Sequence, residues 1–312
     1  MIRTHSFILI VVALSFCLNQ EIRAQVIGPV TKIQIAGNAL ILFADTNIVV
    51  FKVCTDNILM VNYLPNGIQD PNTLVVAETS WTLIGASIDT SGDPLRITTA
   101  NYKIEINRNP LRFHLYKRNG QLLCEEPSSG GLQQNSVALT TSGGTFYGVH
   151  NRSQGNLPTQ NFNIISSGNQ GQGGGPFAWT TQGWGFLADV DSGSITIAGT
   201  SFSFLRKASS IKRDIELYIF VGSPKEIIKG MYEVTGFSPL FPKYTLGFLN
   251  TEWGTDQTEL YSDIQTYRKK NIPIDAYILD FDWMDWGADN YGEFRWGPKF
   301  PDGQSGVIVD TL

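Results

Sequence analysis

A change of periodicity at Ser223 constrains this chain more than any other feature. Upstream, from Gln25 to about Val221, apolar residues come in short β-branched and aromatic runs separated by Gly, Asn, Asp and Pro. Ile41-Leu42-Phe43, Ile48 to Val53, Leu59 to Tyr63, Leu95 to Ile106, Leu111 to Tyr116, Gly183 to Ala188, Ser194 to Ala198 and Asp214 to Phe220 read as strands. Within them Tyr102-Lys103-Ile104-Glu105-Ile106 alternates with period two, which buries one face and wets the other. Arg118-Asn119-Gly120-Gln121 carries the Asn-Gly signal of a hairpin. Many short strands with turns between them predict a β-sandwich over residues 25–222.

Downstream the spacing turns helical. Ser223-Pro224-Lys225-Glu226 supplies an N-cap, a proline in the first turn and a capping-box glutamate. Ile227, Ile228, Met231 and Val234 follow at helical spacing and Gly236 stops the run, so residues 223–240 read as a connecting helix and turn. Strand and helix alternate after that. Tyr244 to Leu249 is expected to be a strand, and Asp256-Gln257-Thr258-Glu259 to cap a helix with the apolar line Leu260, Ile264 and Tyr267. Asn271 and Pro273 end it, and Ile274 to Asp282 is the next strand. A parallel pair joined by one helix is the repeating piece of a (β/α)8 barrel or of a doubly wound sheet. Residues 241–312 are therefore expected to hold one βαβ portion of such a fold.

Met1-Ile2-Arg3, the apolar run Phe7 to Leu18 and a small residue at Ala24 make residues 1–24 a secretory signal, since the run is too short to span a bilayer. The chain is expected to be secreted, with no membrane contact after cleavage. Loss of Cys17 leaves Cys54 and Cys124, which could form one disulfide or stay as two buried thiols. Asn151-Arg152-Ser153 is an N-glycosylation sequon. The polar stretch Asn151 to Gly175 reads either as a surface loop or as one leaning over a pocket, with Phe177 and Trp179 able to close on a ligand. A formal charge of −5 offers no basic face for nucleic acid.

The chemistry concentrates in Tyr277-Ile278-Leu279-Asp280-Phe281-Asp282-Trp283-Met284-Asp285-Trp286, an apolar run ending in carboxylates and indoles. Two apart on a strand, Asp280 and Asp282 would point to the same side, into a barrel mouth where active sites of that fold lie. Such neighbours stand about 6.5 Å apart, near the lower edge of the inverting-glycosidase window, yet they approach a substrate from one side. They read as substrate holders. Trp253, Trp283, Trp286 and Trp296 crowd the same strand ends and offer flat apolar faces for sugar rings, each with an N–H for a hydroxyl. The histidines His5, His114 and His150 form no metal signature, and the glycines at 171–175 lack the lysine and helix of a phosphate loop. No cofactor is expected.

These motifs resemble glycoside hydrolase family 31, the α-glucosidase and α-xylosidase group. Ile97-Thr98-Thr99-Ala100 through Asn109-Pro110-Leu111-Arg112-Phe113 to Asn119-Gly120 is similar to the family's N-terminal sandwich, and Phe146-Tyr147-Gly148 to its aromatic-glycine turn. Pro242-Lys243-Tyr244-Thr245-Leu246-Gly247-Phe248 resembles its first barrel strand, Leu279-Asp280-Phe281-Asp282-Trp283 its second-strand signature, and Lys299-Phe300-Pro301-Asp302 the segment that follows. The resemblance implies a galactose-mutarotase-like sandwich ahead of a (β/α)8 TIM barrel. It implies retaining hydrolysis or transfer of α-glycosides, without metal or organic cofactor, on an α-linked oligosaccharide or α-glycoside. It places Asp282 on the sugar in the cleaved subsite. The family's nucleophile lies in a Trp-x-Asp-Met-Asn-Glu-like motif on a later strand and its acid later still; no Asp-Met-Asn triplet occurs here. The expectation is a fragment truncated within the barrel and inactive alone. The alternative is a non-catalytic secreted protein whose sandwich binds carbohydrate or a partner.

Overall fold

The computed structural model describes residues 27–149, 162–165, 175–286 and 292–308. The expected signal sequence, the sequon at Asn151 and most of the glycine-rich stretch lie outside the described residues. The chain divides into two compact units, Met1–Phe237 and Ser238–Leu312.

In the first unit the strands run β1 (Lys32–Ala36), β2 (Ala39–Ala44), β3 (Asn47–Val53), β4 (Ile58–Leu64), β5 (Ser87–Asp89), β6 (Leu95–Thr98), β7 (Tyr102–Arg108), β8 (Leu111–Lys117) and β9 (Leu122–Glu125). They continue as β10 (Ser136–Thr141), β11 (Phe146–Gly148), β12 (Phe162–Ile165), β13 (Phe177–Thr180), β14 (Trp184–Asp189), β15 (Gly193–Ala198), β16 (Ser201–Arg206) and β17 (Ile215–Val221). One sheet has eight strands in the order β1-β2-β3-β4-β17-β14-β13-β11, and the other nine in the order β12-β15-β16-β10-β9-β8-β7-β6-β5. All their pairings are antiparallel, and side chains from both sheets share one core, the arrangement of a sandwich. Phe51 of β3 meets Phe113 of β8 edge-on at 5.6 Å, and Phe186 of β14 meets Phe202 of β16 at 3.7 Å between centroids.

The alternating pattern behaves as expected on β7, where Tyr102, Ile104 and Ile106 are buried while Lys103 and Glu105 face out as a 2.9 Å ion pair. The run from Leu95 to Ile106 is two strands and not one. Thr99 accepts hydrogen bonds on its hydroxyl from the Asn101 and Tyr102 amides, a side-chain turn that folds β6 back onto β7. The Asn-Gly hairpin between β8 and β9 has a three-residue loop: the Lys117 amide donates to the Gln121 carbonyl, and Gly120 takes the left-handed conformation at φ +90°.

Strands β14 and β17 are buried at every position. The cause is helix α1 (Pro224–Thr235), which covers the outer face of their sheet. Its capping box forms as the sequence predicts, with Ser223 and Glu226 exchanging hydrogen bonds, and Gly236 ends it at φ +85°. Ile227, Gly230 and Val234 form its buried stripe against Leu187, Tyr218 and Phe220. The segment read as a connector thus packs on the sandwich and belongs to the first unit. Phe177 and Trp179 help fill this interface, Trp179 stacking on Tyr147 at 4.6 Å, which corrects the expectation that they close on a ligand. Cys54 lies in the helix-side cluster and Cys124 in the sandwich core, both free and buried. Burial pushes the Cys54 thiol up to about 12 and the Cys124 thiol well up too.

The second unit holds β18 (Leu249–Glu252), α2 (Gln257–Lys269) and β19 (Ala276–Leu279), followed by the hairpin β20 (Met284–Trp286) and β21 (Gly292–Trp296). Strands β18 and β19 pair in parallel, Leu249 opposite Ala276 and Glu252 opposite Leu279, so one βαβ unit is present as expected. Its first strand starts later than Tyr244. Lys243–Leu246 is a 3-10 turn after Pro242, and the Asp275 carboxylate accepts the Phe248 amide at 2.9 Å, fitting against the bare face of Gly247. Asp256 caps α2 by accepting the Glu259 amide, and Leu260 and Ile264 are its buried residues.

Candidate functional site

Because β18 and β19 run parallel, both present their carboxyl ends on one side, the side on which ligands bind in α/β sheets. Glu252 and Trp253 come from the first end, and Asp280, Phe281 and Asp282 from the second. The backbone continues the ladder for one more bond, the Asp280 amide donating to the Glu252 carbonyl at 3.0 Å. That bond sets Trp253 beside Phe281, with ring centroids 6.1 Å apart and planes 30° from parallel. Trp253 is 71% exposed and Phe281 44%. Two large apolar rings this open at a strand end form a flat platform that water covers poorly.

The strand geometry expected of the two aspartates does not hold. Strand β19 ends at Leu279, and Asp280 caps a short 3-10 turn, Phe281–Trp283, accepting the Phe281 amide on Oδ1 at 2.6 Å. Asp282 stands inside that turn, so the two are no i, i+2 pair on a strand and the spacing of about 6.5 Å does not apply. The physical reason is local: a short carboxylate that accepts the next amide competes with the β ladder and turns the chain. The Asp280 carboxylate is exposed, not buried.

The four tryptophans separate. Trp253 stands on the platform. Trp283 and Trp296 meet edge-on at 5.0 Å, and Trp296 reaches Phe300 at 5.8 Å, in a small core with Leu260, Ile264 and Ile308. They are half-buried, and their open edges line a cleft of about 420 Å³ with Phe294, Arg295 and Gln304. Trp286 closes β20, paired with Gly292. At the cleft Arg295 holds Asp285 in a 2.9 Å ion pair.

Sequence reasoning missed how Lys299-Phe300-Pro301-Asp302 works. Phe300 is buried in the small core, and Asp302 trades hydrogen bonds with the Gln257 amide group at 2.6 and 2.9 Å. The Gln257 backbone amide also donates to the Lys299 carbonyl at 3.1 Å. The motif thereby pins the first turn of α2 and supports the Trp296 wall, against which Gly303 leaves no room for a side chain. Phe281 was also missed as a platform residue; a ring between two aspartates beyond a strand was the available signal. Among the described residues no group of three His, Cys, Asp or Glu could hold a metal ion, and no helix is long and apolar enough to cross a membrane.

Residues 238–311 match the model of the glycosyl hydrolases family 31 TIM-barrel domain. A 1,6-alpha-glucosyltransferase of Sporosarcina globispora is 36% identical over 318 residues, covering 92% of this chain and 24% of its own length. An alpha-xylosidase of Saccharolobus solfataricus is 32% identical over 123 residues, 38% of this chain and 16% of its own. The chain thus spans a third or less of the curated relatives it matches. Among solved structures, the GH31 dextranase of Flavobacterium johnsoniae complexed with isomaltotriose superposes with a TM-score of 0.77 at 18% identity, covering 92% of this chain and 38% of that one. A GH31 alpha-xylosidase from a soil metagenome complexed with xylose gives a TM-score of 0.74 at 17% identity, over 90% of this chain and 45% of the other. The family-model match and the relative that runs along nearly the whole chain agree with the strand-end motif: this chain belongs to glycoside hydrolase family 31.

Proposed function

We propose that this chain supplies the substrate-holding part of a secreted α-glycosidase or α-glucosyltransferase. The observation that carries the reading is the parallel strand end where exposed Trp253 and Phe281 flank the Asp280-Phe281-Asp282-Trp283 turn. A pyranose ring laid on the platform buries its apolar face, while Asp280 and Asp282 accept hydrogen bonds from its hydroxyls. The half-buried Trp283 and Trp296 offer a further apolar wall for another sugar of an α-linked oligosaccharide. The family's barrel fold supports this placement, since its active sites lie at the carboxyl ends of the strands.

Retaining cleavage needs one carboxylate below the anomeric carbon and another at the leaving oxygen, about 5–5.5 Å apart. Asp280 and Asp282 belong to one short turn at a single strand end, so in this reading they hold and orient the sugar. The 312-residue polypeptide assayed alone is expected to bind α-linked saccharide without cleaving it. No residue in this reading requires a metal or an organic cofactor.

The test is saturation-transfer NMR of isomaltotriose with the full 312-residue chain, alongside a nitrophenyl α-glucoside assay. Trp253→Ala and Asp282→Asn should each weaken binding about tenfold, from losing a ring contact or a charge-assisted hydrogen bond. Release of nitrophenol by the wild-type chain, or binding indifferent to both substitutions, would overturn the reading.

A further inference from the structure

Asparagine precedes glycine twice in this chain, at Asn66-Gly67 after β4 and at Asn119-Gly120 in the β8–β9 hairpin. A glycine has no Cβ to shield the peptide nitrogen that follows the asparagine, so such a pair can close a ring between the side-chain Cγ and that nitrogen. All four residues are exposed to water. Local sequence makes the two pairs alike, and the fold separates them.

At Asn119 the nucleophile is engaged. The Gly120 amide donates to the Lys117 carbonyl at 2.9 Å, inside a loop that the Lys117 amide closes onto the Gln121 carbonyl at 2.8 Å. Asn119 Oδ1 accepts from the Gln121 amide at 3.1 Å, but that donor moves with the peptide that has to rotate. At Asn66 the arrangement is reversed. The residue takes the left-handed conformation, φ 54° and ψ 26°, inside the short turn Pro65–Gly67. That kink carries the Gly67 amide away from helical geometry, and among the described residues it reaches no acceptor. The turn is spanned by the Ile68 amide, which donates to the Pro65 carbonyl at 3.1 Å. Asn66 Oδ1 accepts the Thr46 hydroxyl at 2.9 Å. Thr46 belongs to the β2–β3 turn, so its hydroxyl stays in place when the Gly67 peptide rotates. The Asn66 backbone amide is anchored to the same turn, donating to Asn47 Oδ1 at 3.2 Å.

We propose that Asn66 is a self-modification site, converting to aspartate and isoaspartate ahead of Asn119, with Thr46 as donor to the developing oxyanion. Rotation about the Asn66 Cα–C bond brings the Gly67 nitrogen onto Asn66 Cγ. The N–Cγ bond forms as the nitrogen gives its proton to water, and negative charge gathers on Oδ1, where the Thr46 hydroxyl meets it. The Cγ–Nδ2 bond then breaks, and the amide nitrogen takes a proton from water and leaves as ammonia. Water opens the cyclic imide at either carbonyl. Attack at Cγ gives aspartate; attack at the main-chain carbonyl gives isoaspartate, whose backbone runs through the former side chain. The sum is one water consumed and one ammonia released, with no change of oxidation state. Either product sets a new carboxylate on the cleft that Asp45 also lines. Isoaspartate also adds a methylene to the backbone just beyond β4. Like charge and a lengthened backbone both loosen that corner of the sandwich.

The full 312-residue chain, held in mildly alkaline buffer and sampled over days, tests this by peptide mapping with mass spectrometry, isoaspartate being counted by enzymatic methylation. Asn66 should convert about tenfold faster than Asn119 while the protein is folded, because the hairpin must first give up the Gly120 bond. In guanidinium chloride the two rates should become equal, since only the fold distinguishes the sites. Thr46→Val removes the hydroxyl and keeps the shape; it should slow Asn66 about threefold in the folded protein and leave Asn119 unchanged. Where Thr46→Val lowers the melting midpoint, Thr46→Ser keeps a hydroxyl and should restore the rate. Asn119 converting as fast as Asn66 in the folded chain overturns the proposal, and so does a difference that survives in denaturant. A Thr46→Val rate equal to or above wild type, or no recovery in Thr46→Ser, takes the oxyanion donor away and overturns it as well.

Discussion

Replacing Lys212 by Met should unsettle the sandwich more than any surface change. Its ammonium lies 3.4 Å from Asp189 Oδ2 and 3.2 Å from Asp214 Oδ2, and donates to the Pro71 carbonyl at 3.3 Å. The lysine is 3% exposed and both aspartates 0%. Thr73 and Asn72 also hold Asp189, and Asn72 links it to Glu216, which burial pushes above the usual carboxylate range. Among the described residues Lys212 is therefore the one cation in direct contact with the two buried aspartates. In Lys212→Met two negative charges stay buried with only dipoles to hold them, a change that costs about 3–5 kcal/mol where it has been measured in other proteins. Against a typical total of about 5–15 kcal/mol, that is a large part of the fold's stability. Urea unfolding by far-UV circular dichroism, a signal the two antiparallel sheets dominate, reads the difference. Asp189→Asn/Lys212→Met/Asp214→Asn, which removes all three charges, should recover much of the loss. A deficit below about 1 kcal/mol, or no recovery in the triple variant, would refute the reasoning.

Three further outcomes are expected. Burial pushes Glu126 up to about 7 despite hydrogen bonds from the Leu132 and Phe113 amides and the nearby Arg112 guanidinium; a raised carboxyl contributes stability that is full below about pH 4.5 and lost as pH rises through 7, up to about 3 kcal/mol, so Glu126→Gln should flatten the urea-stability profile between pH 5 and 8 relative to wild type. Gly230→Ala should destabilise α1 although alanine ordinarily favours a helix by about 1 kcal/mol, because the new Cβ would stand 2.8 Å from the Phe220 ring; thermal melting would show a lower midpoint, and a higher one would mean the ring yields freely. Cys54 and Cys124 should resist a thiol-specific colorimetric reagent in the native protein and react fully in denaturant, since both thiols are buried and pushed up; rapid native labelling would contradict their burial.

The legible and the illegible parts of this protein divide by the range of the interactions that set them. Helix α1 could be read to its caps because a capping box, a first-turn proline and a terminal glycine act within four residues. The turn at Thr99 was missed because one hydroxyl there outcompetes a run of strand-forming neighbours. The same effect at Asp280 moved both aspartates off their strand. Trp283 and Trp296 look like ligand platforms in sequence, and only packing against Phe300 shows that they also build a core.

The sequence by itself determined the two-part architecture, the helix boundaries and the strand-end motif that marks the family, because periodicity, capping and short motifs are local. Only the tertiary structure decided that α1 seals the back of β14 and β17, that Lys212 sits between two buried aspartates, and that Phe300 gathers Trp296 and Trp283 into a core. These depend on residues apart in the chain coming together, as Asp189 and Lys212 do across a sheet whose strand order the local pattern does not encode.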